Sequence, residues 1–367
     1  MLIRSAATEL LRQLVTLSSP SGLETEAAAY LIDWLAAFGF KAYVDEVGNA
    51  VGQRGDGARH ILLLGHIDTF PGTLPVRQEG NWLTGRGTVD AKGALAAFAV
   101  AATMAELAPD WRITVVGAVQ EESATSLGAR HILKHWPAPD YCVIGEPSSW
   151  QRITLGYKGR LLADLHWVAP FVHSAGQARL PAEQAVDLWN HIVAHCDAFN
   201  DGRTAAFERL EPSLRHIATR DQGAYAAVDM SLAFRLPLDL APETLGQRLQ
   251  AICSQAGVCQ TPDDDASGLA LTISGAEVAF RANKNTPLVR AFLAAIRQQG
   301  GQARFVLKSG TSDMNVVGPA WQIPIVAYGP GDSALDHTPY ERINLDEYWQ
   351  AILVLQSVLN ILQRGDI

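Results

Sequence analysis

The apolar positions of the chain fall into two textures. Over the first 155 residues, short apolar runs end in polar clusters and alternate with stretches of helical period. Residues 4–17 and 24–38 read as helices, with Ser21 and Glu24 in capping-box spacing before the second. The stretch FKAYVDEVGNAVGQR reads as a hairpin turning at Gly48-Asn49. Ile61 to Leu64 form a buried-strand run closed by Gly65, then His66, Ile67, Asp68 and a Pro-Gly break. A short segment around Trp82 and the turn Gly85-Arg86-Gly87 lead to Asp90 and an Ala-rich helix over 94–107. The strand 112–119 ends in Gln120-Glu121-Glu122, a helix covers 128–135, and the strand 140–145 ends in Glu146-Pro147. Strands alternating with helices, each strand closed by polar residues, predict an α/β sheet with its chemistry at the strand ends.

Near Gly156 the texture changes. Residues 157–168 alternate like a half-exposed strand; a helix over 181–199, strands near 212–220 and 227–236, a helix over 242–256 and a strand over 268–275 follow. This β-α-β-β-α-β order is that of the ferredoxin-like split motif. From Asn285 the α/β texture returns: a helix over 286–298, a strand over 303–307, a Gly-Thr-Ser turn, a strand over 323–327, a loop with Asp336 and His337, and a closing helix over 345–363. The expectation is an α/β domain, 1–155 and 281–367, interrupted by an inserted α+β domain, 156–280.

Composition narrows the class. Of 367 residues, 48% are hydrophobic and 18% charged, enough apolar residues for two cores. The net charge of -9, without a basic block, disfavours nucleic acid as a partner. No run approaches the ~18 apolar residues of a membrane span. The first residues read as an amphipathic helix carrying Glu9, not as a secretory signal. Cys142, Cys196, Cys253 and Cys259 form no C-x-x-C pair, so a thiolate zinc site is not expected. A reducing, cytoplasmic compartment is.

The polar residues at the strand ends are His66, Asp68, Asp90, Glu121, Glu122, Glu146 and His337. Each has an ordinary structural role open to it. His66 could be a buried histidine, Asp68 a turn residue, Asp90 a helix cap, Glu121 and Glu122 a solvated pair, His337 a surface histidine. Taken together, two histidines and several carboxylates without sulfur suit Zn²⁺, or a related ion such as Co²⁺ or Mn²⁺, with positions left open for water. Asp68, two residues from His66, can accept the N–H of a ligating imidazole. Two adjacent glutamates suit a division of labour between metal binding and proton transfer.

The stretches GHIDTFPG, GRGTVDAKG, QEES, IGEPS and ALDHTPYE, in this order and spacing, resemble the co-catalytic zinc amidohydrolases and exopeptidases. That superfamily includes glutamate-releasing carboxypeptidases, succinyl-diaminopimelate desuccinylase, acetylornithine deacetylase and the hydrolases that free lysine or ornithine from an amino-group carrier protein. The resemblance implies a zinc-exopeptidase-like catalytic domain, a mixed sheet flanked by helices, with an inserted ferredoxin-like lid and dimerisation domain. It implies two divalent ions, Zn²⁺ or Co²⁺. His66 and Glu146 would hold one, Glu122 and His337 the other, with Asp90 bridging, Glu121 as base and proton shuttle, and Asp68 orienting His66. A glutamate at position 146 goes, in that family, with acyl-amino-acid hydrolases and carboxypeptidases rather than aminopeptidases.

Within the insert, PFVHSAG resembles the family stretch whose histidine polarises the scissile carbonyl, here His173, often across a homodimer. Arg235 in LAFRLP resembles the arginine that takes a substrate carboxylate, and Gly310-Thr311-Ser312-Asp313 resembles the loop at the substrate. Each has a plainer alternative: a surface histidine, a surface ion pair, a helix cap. The family's N-x-x-P stretch before the arginine is missing from TRDQGAYAAVDMSLAFR, so relatives' contacts there do not carry over.

The local wording of GRGTVDAKG, QEESATSLGAR, GEPSSWQRITLGYKGR and FRLP is most similar to the carrier-protein lysine/ornithine hydrolases. This implies hydrolysis of an isopeptide amide between a carrier glutamate and the α-amino group of lysine or ornithine. The partner would be a small acidic amino-group carrier protein, met by basic residues drawn from Lys158, Arg160, Arg179, Arg281, Lys284 and Lys308. The same active site would also serve as an acetylornithine or acetyllysine deacetylase, a succinyl-diaminopimelate desuccinylase or a general carboxypeptidase. A catalytically dead, dimeric metal-binding scaffold is the reading outside enzymes.

Overall fold

The computed structural model describes residues 4–170, 173, 179–255 and 269–365. Cys259, the expected helix end at 256 and strand start at 268, and all of the PFVHSAG stretch except Pro170 and His173 lie outside them. The chain forms two compact units. The larger comprises Met1–Gly156, Arg281–Leu307 and Ser312–Ile367; the smaller comprises Tyr157–Phe280 and Lys308–Thr311.

The larger unit is built on a mixed sheet of nine strands. Its centre is parallel, in the order Trp111–Ala118, Arg59–His66, Tyr141–Gly145, Ile325–Ala327, and antiparallel strands flank it. Gly117, Gly65 and Gly145 face each other in register across three of these strands. A Cβ on Gly145 would lie 2.9 Å from the Phe98 ring, and one on Gly117 3.1 Å from Leu95. Both neighbours belong to the helix Lys92–Met104, which is buried on all sides from Lys92 to Ala102. The row of glycines lets this helix lie close on the sheet, immediately before the residues that leave it. The closing helix Leu345–Arg364 covers the helix from outside, joined by Leu288, Phe292 and Ile296 of the helix Pro287–Gln298.

The smaller unit is an antiparallel sheet in the order Glu211–Gln222, Tyr225–Leu236, Gly159–Pro170, Ala270–Glu277. The helices Pro181–Phe199 and Pro242–Gln255 cover one face. Residues Leu161, Leu165, Trp167, Leu188, Phe234 and Leu249 form its core. The element order is the β-α-β-β-α-β expected from the alternation in 157–168, where every second residue is buried.

Three expectations fail for identifiable reasons. Ser21 does not cap the helix Thr25–Ala37, whose N-cap is Glu24 without a side-chain bond. Its hydroxyl donates instead to Asp68 Oδ2 at 2.7 Å. The helix Asp313–Trp321 follows directly on the Gly-Thr-Ser turn, with Ser312 and Asn315 closing a capping box. Pro319 inside it hides the helical period. Lys158 is not a surface cation: it is 0% exposed, and its Nζ donates to the carbonyls of Ala206 and Arg209 and to Glu211 Oε2. A buried amine held by three acceptors offers nothing to a docking partner.

Candidate metal centre

The four central parallel strands end on the same side of the sheet, and each delivers polar residues there. His66 is the last residue of its strand, and Ile67 N–H still donates to Ala118 O of the neighbour (2.8 Å). Glu121 and Glu122 follow Trp111–Ala118, Glu146 follows Tyr141–Gly145, and the loop carrying His337 follows Ile325–Ala327. Asp90 comes from the loop entering the helix Lys92–Met104. These six positions, with Asp68, converge.

Asp90 stands at the middle. Its Oδ1 lies 3.2 Å from His66 Nε2 and its Oδ2 3.0 Å from His337 Nε2, one oxygen to each imidazole. His337 Nε2 is also 3.0 Å from Glu122. His66 Nε2 lies 3.9 Å from Glu121 Oε2 and 4.0 Å from Glu146 Oε1. The ligand atoms of His66, Asp90 and Glu122 fall within 4.8 Å of one another, as do those of His66, Glu121 and Glu146. Donors about 2.0–2.2 Å from one tetrahedral ion stand roughly 3.3 Å apart, so these spacings suit shared cations. Glu121 and Glu146 stand almost equally near His66.

The electrostatics point the same way. Burial alone would lower the His66 pKa, but hydrogen bonds to Asp68 and Asp90 and the charge of Glu121 raise it well above the usual histidine value. His337 is raised to about 10 by Asp90 and Glu122. Glu121 is raised well above the carboxylate range by burial, then by the charges of Glu146, Asp313 and Glu122. The cluster thus draws positive charge, as protons, onto both imidazoles and Glu121. A divalent cation supplies that charge directly and displaces the protons. The residues fit a metal, and two histidines with oxygen donors suit Zn²⁺-type ions.

The backbone around the cluster is held by two buried carboxylates. Asp68 is 0% exposed. Its Oδ1 accepts Glu121 N–H (3.1 Å) and its Oδ2 accepts Glu122 N–H (3.0 Å) and the Ser21 hydroxyl. His66 Nδ1 bonds the carbonyl of Asp68 at 2.9 Å and stands 3.4 Å from Asp68 Oδ1. Asp68 therefore fixes both glutamates as well as the imidazole. Glu341, to which the sequence reading gave no role, accepts N–H groups from Gly87, Val89 and Asp90. Its only signal in the sequence was a carboxylate four residues after His337. Phe70 stacks on His337 with centroids 4.3 Å apart, and Arg86 lies over the Phe70 ring. Gln120 and His337 both sit at positive φ, 59° and 60°. Such backbone costs roughly 1–3 kcal/mol and gathers at functional sites.

Most of the remaining expected residues belong to the smaller unit. His173 belongs to the smaller unit and is exposed. Arg235, also in the smaller unit, pairs in register with Glu211 and Arg160, and its Nη1 lies 3.4 Å from Thr311 Oγ1. Gly310 belongs to the same unit, within Lys308–Thr311. Ser312 begins the last segment of the larger unit; it is buried, and its hydroxyl accepts Met314 N–H as a helix cap. The basic residue Arg179 is tied to Glu183 and Asp187.

The profile of Peptidase family M20/M25/M40 matches residues 62–361. A LysW-lysine hydrolase of Deinococcus radiodurans is 43% identical over 366 residues, covering 98% of each chain. Among solved structures, an M20 family metallo-carboxypeptidase of Sulfolobus solfataricus superposes with a TM-score of 0.77 at 17% identity, over 98% of this chain and 99% of that one. A dinuclear metal binding peptidase of the M20 family from Bacillus subtilis superposes with a TM-score of 0.71 at 12% identity, over 98% of each. At these identities the structures speak for the fold, and the profile and the relative for descent. With the profile spanning most of the chain and the relative aligned end to end, the chain belongs to Peptidase family M20/M25/M40.

Proposed function

We propose that the chain is a metal-dependent amide hydrolase that frees lysine, or ornithine, from a small acidic amino-group carrier protein. The scissile bond is the isopeptide amide between a carrier glutamate side chain and the α-amino group of the amino acid. The observation that carries this substrate is the 43% identity, over 98% of both chains, to a protein named for it. Two divalent ions, Zn²⁺ or Co²⁺, are the cofactors: His66 and Glu146 would hold one, Glu122 and His337 the other, and Asp90 would give one oxygen to each. Bound there, such ions polarise the scissile carbonyl and lower the pKa of a water towards ~7.

The protein's own groups do the rest. Glu121 takes the proton of the attacking water at a carboxylate oxygen and delivers it to the leaving amine nitrogen. With the cluster's protons displaced by the cations, Glu121 is an ionised carboxylate able to take that proton and hold it between two steps. Asp68 keeps Glu121 and Glu122 in place through their backbone N–H groups. From the smaller unit, His173 is assigned the carbonyl oxygen and Arg235 the substrate carboxylate, a task that suits a planar, bidentate donor. Gly310, Thr311 and Ser312 would contact the substrate beside that carboxylate.

The smaller unit is read as the lid and as the contact of a homodimer. Among the described residues the strands Glu211–Gln222 and Ala270–Glu277 form the two ends of its sheet, and such edge strands support this reading as places for a second copy to pair. Among the described residues no helix is long and apolar enough to cross a membrane. Cys142 and Cys196 are buried free thiols, which supports the reading of a reducing, cytoplasmic setting.

The test is a comparison of kcat/KM, in zinc or cobalt, for the carrier-lysine and carrier-ornithine conjugates, acetyllysine, acetylornithine and succinyl-diaminopimelate. The carrier conjugates are expected to lead by about two orders of magnitude. A lead of that size for succinyl-diaminopimelate would overturn the assigned substrate.

A further inference from the structure

We infer that Glu341 is a positioning residue, whose buried carboxylate sets the backbone of residues 87–90 and thereby the placement of Asp90 between the two imidazoles. The inference rests on the reading of Asp90 as a shared ligand. Glu341 is 0% exposed. Its Oε1 accepts the N–H groups of Gly87 (2.9 Å), Val89 (3.0 Å) and Asp90 (3.2 Å). Its Oε2 accepts Arg86 Nη1 at 2.7 Å.

These amides lie between the strand Trp82–Thr84 and the helix Lys92–Met104. They converge on one oxygen, in the manner of a backbone anion nest. Burying a carboxylate is costly, and the cost is offset only when its lone pairs are filled by well-placed donors. Here most of the donors are backbone groups of one loop, so the loop takes its shape from the carboxylate.

The placement of Glu341 is itself fixed. The strand Arg342–Asn344 pairs with Trp82–Thr84, setting Arg342 opposite Thr84, and Gly85 N–H donates to Glu341 O at 3.3 Å. Four residues earlier, His337 Nε2 meets Asp90 Oδ2 at 3.0 Å. One short segment therefore holds Asp90 twice, the side chain through an imidazole and the backbone through a carboxylate.

The experiment compares the full-length wild type with Glu341→Ala, Glu341→Gln and the double variant Arg86→Met/Glu341→Gln. Zinc affinity is read by chelator competition, and amide hydrogen exchange is read on metal-free protein. Glutamine keeps one oxygen for the three N–H groups but turns an amide NH₂ towards Arg86; removing the guanidinium relieves that conflict. Glu341→Ala is expected to bind zinc about 10- to 100-fold more weakly, the usual effect of losing a group that supports a ligand. Exchange should rise at Gly87, Val89 and Asp90 and not in the helix Leu345–Arg364. The double variant should recover most of the affinity lost in Glu341→Gln. Where Glu341→Ala does not fold, this last pair decides the question.

Wild-type zinc affinity and loop protection in Glu341→Ala would overturn the inference. So would a loss of protection throughout the larger unit, which marks a general stability role. If the wild type binds no zinc, the metal reading fails, while exchange at 87–90 still decides what Glu341 does to the loop.

Discussion

Replacing Glu121 by glutamine is expected to lower kcat by about 10³-fold and to leave the bound divalent metal close to the wild-type amount. Glutamine matches the shape of the side chain but cannot take a proton from water or hold one for the leaving amine. The backbone should not move, because Glu121 N–H is held by Asp68 and not by its own side chain. The distances allow the opposite assignment: Glu121 Oε2 is as near to His66 Nε2 as Glu146 Oε1 is, 3.9 against 4.0 Å. Metal analysis beside the kinetics separates the two. Loss of turnover together with loss of one ion would make Glu121 a ligand. Near-normal turnover would remove it as the base.

Asp68→Ala is expected to be the substitution outside the ligand set that costs the most stability. It leaves the N–H groups of Glu121 and Glu122 without their acceptor in a buried site, each costing about 1–3 kcal/mol. The metal-free protein should lose roughly 2–6 kcal/mol in a denaturant titration by that reckoning. The affected loop carries both glutamates, so zinc affinity should fall by about 10- to 100-fold as well. Asp68→Asn keeps one carbonyl oxygen and should fall between. A variant with wild-type stability and metal affinity would show that Asp68 does not hold this loop.

Much of the cluster was legible in the sequence because most of its residues follow the ends of the central parallel strands. LLLGH, TVVGA and CVIGE are apolar runs closed by a glycine, and the structure sets those glycines side by side under the helix Lys92–Met104. Where strands are parallel and helix-covered, the polar residues that follow must come together at one end. Local spacing failed where a distant partner competes. Ser21 has the spacing of a helix cap, but the Asp68 carboxylate, 47 residues away, is the stronger acceptor. Lys158 reads as a surface charge because nothing near it in sequence foretells the carbonyls of Ala206 and Arg209. The role of Glu341 was not legible for the same reason, although the residue closes the stretch ALDHTPYE. Its role depends on the pairing of Arg342–Asn344 with Trp82–Thr84, across more than half of the chain.

The central proposal is that the cluster around Asp90 is a two-cation centre for amide hydrolysis. The most direct test is to strip the protein of metal, add Zn²⁺ or Co²⁺ back in steps, and follow bound metal and hydrolysis of the carrier-lysine conjugate together. The metal-free protein should be inactive, and activity should return as binding approaches two ions per chain. Full hydrolysis without metal, or a chain that takes up no divalent ion while remaining folded, would contradict it.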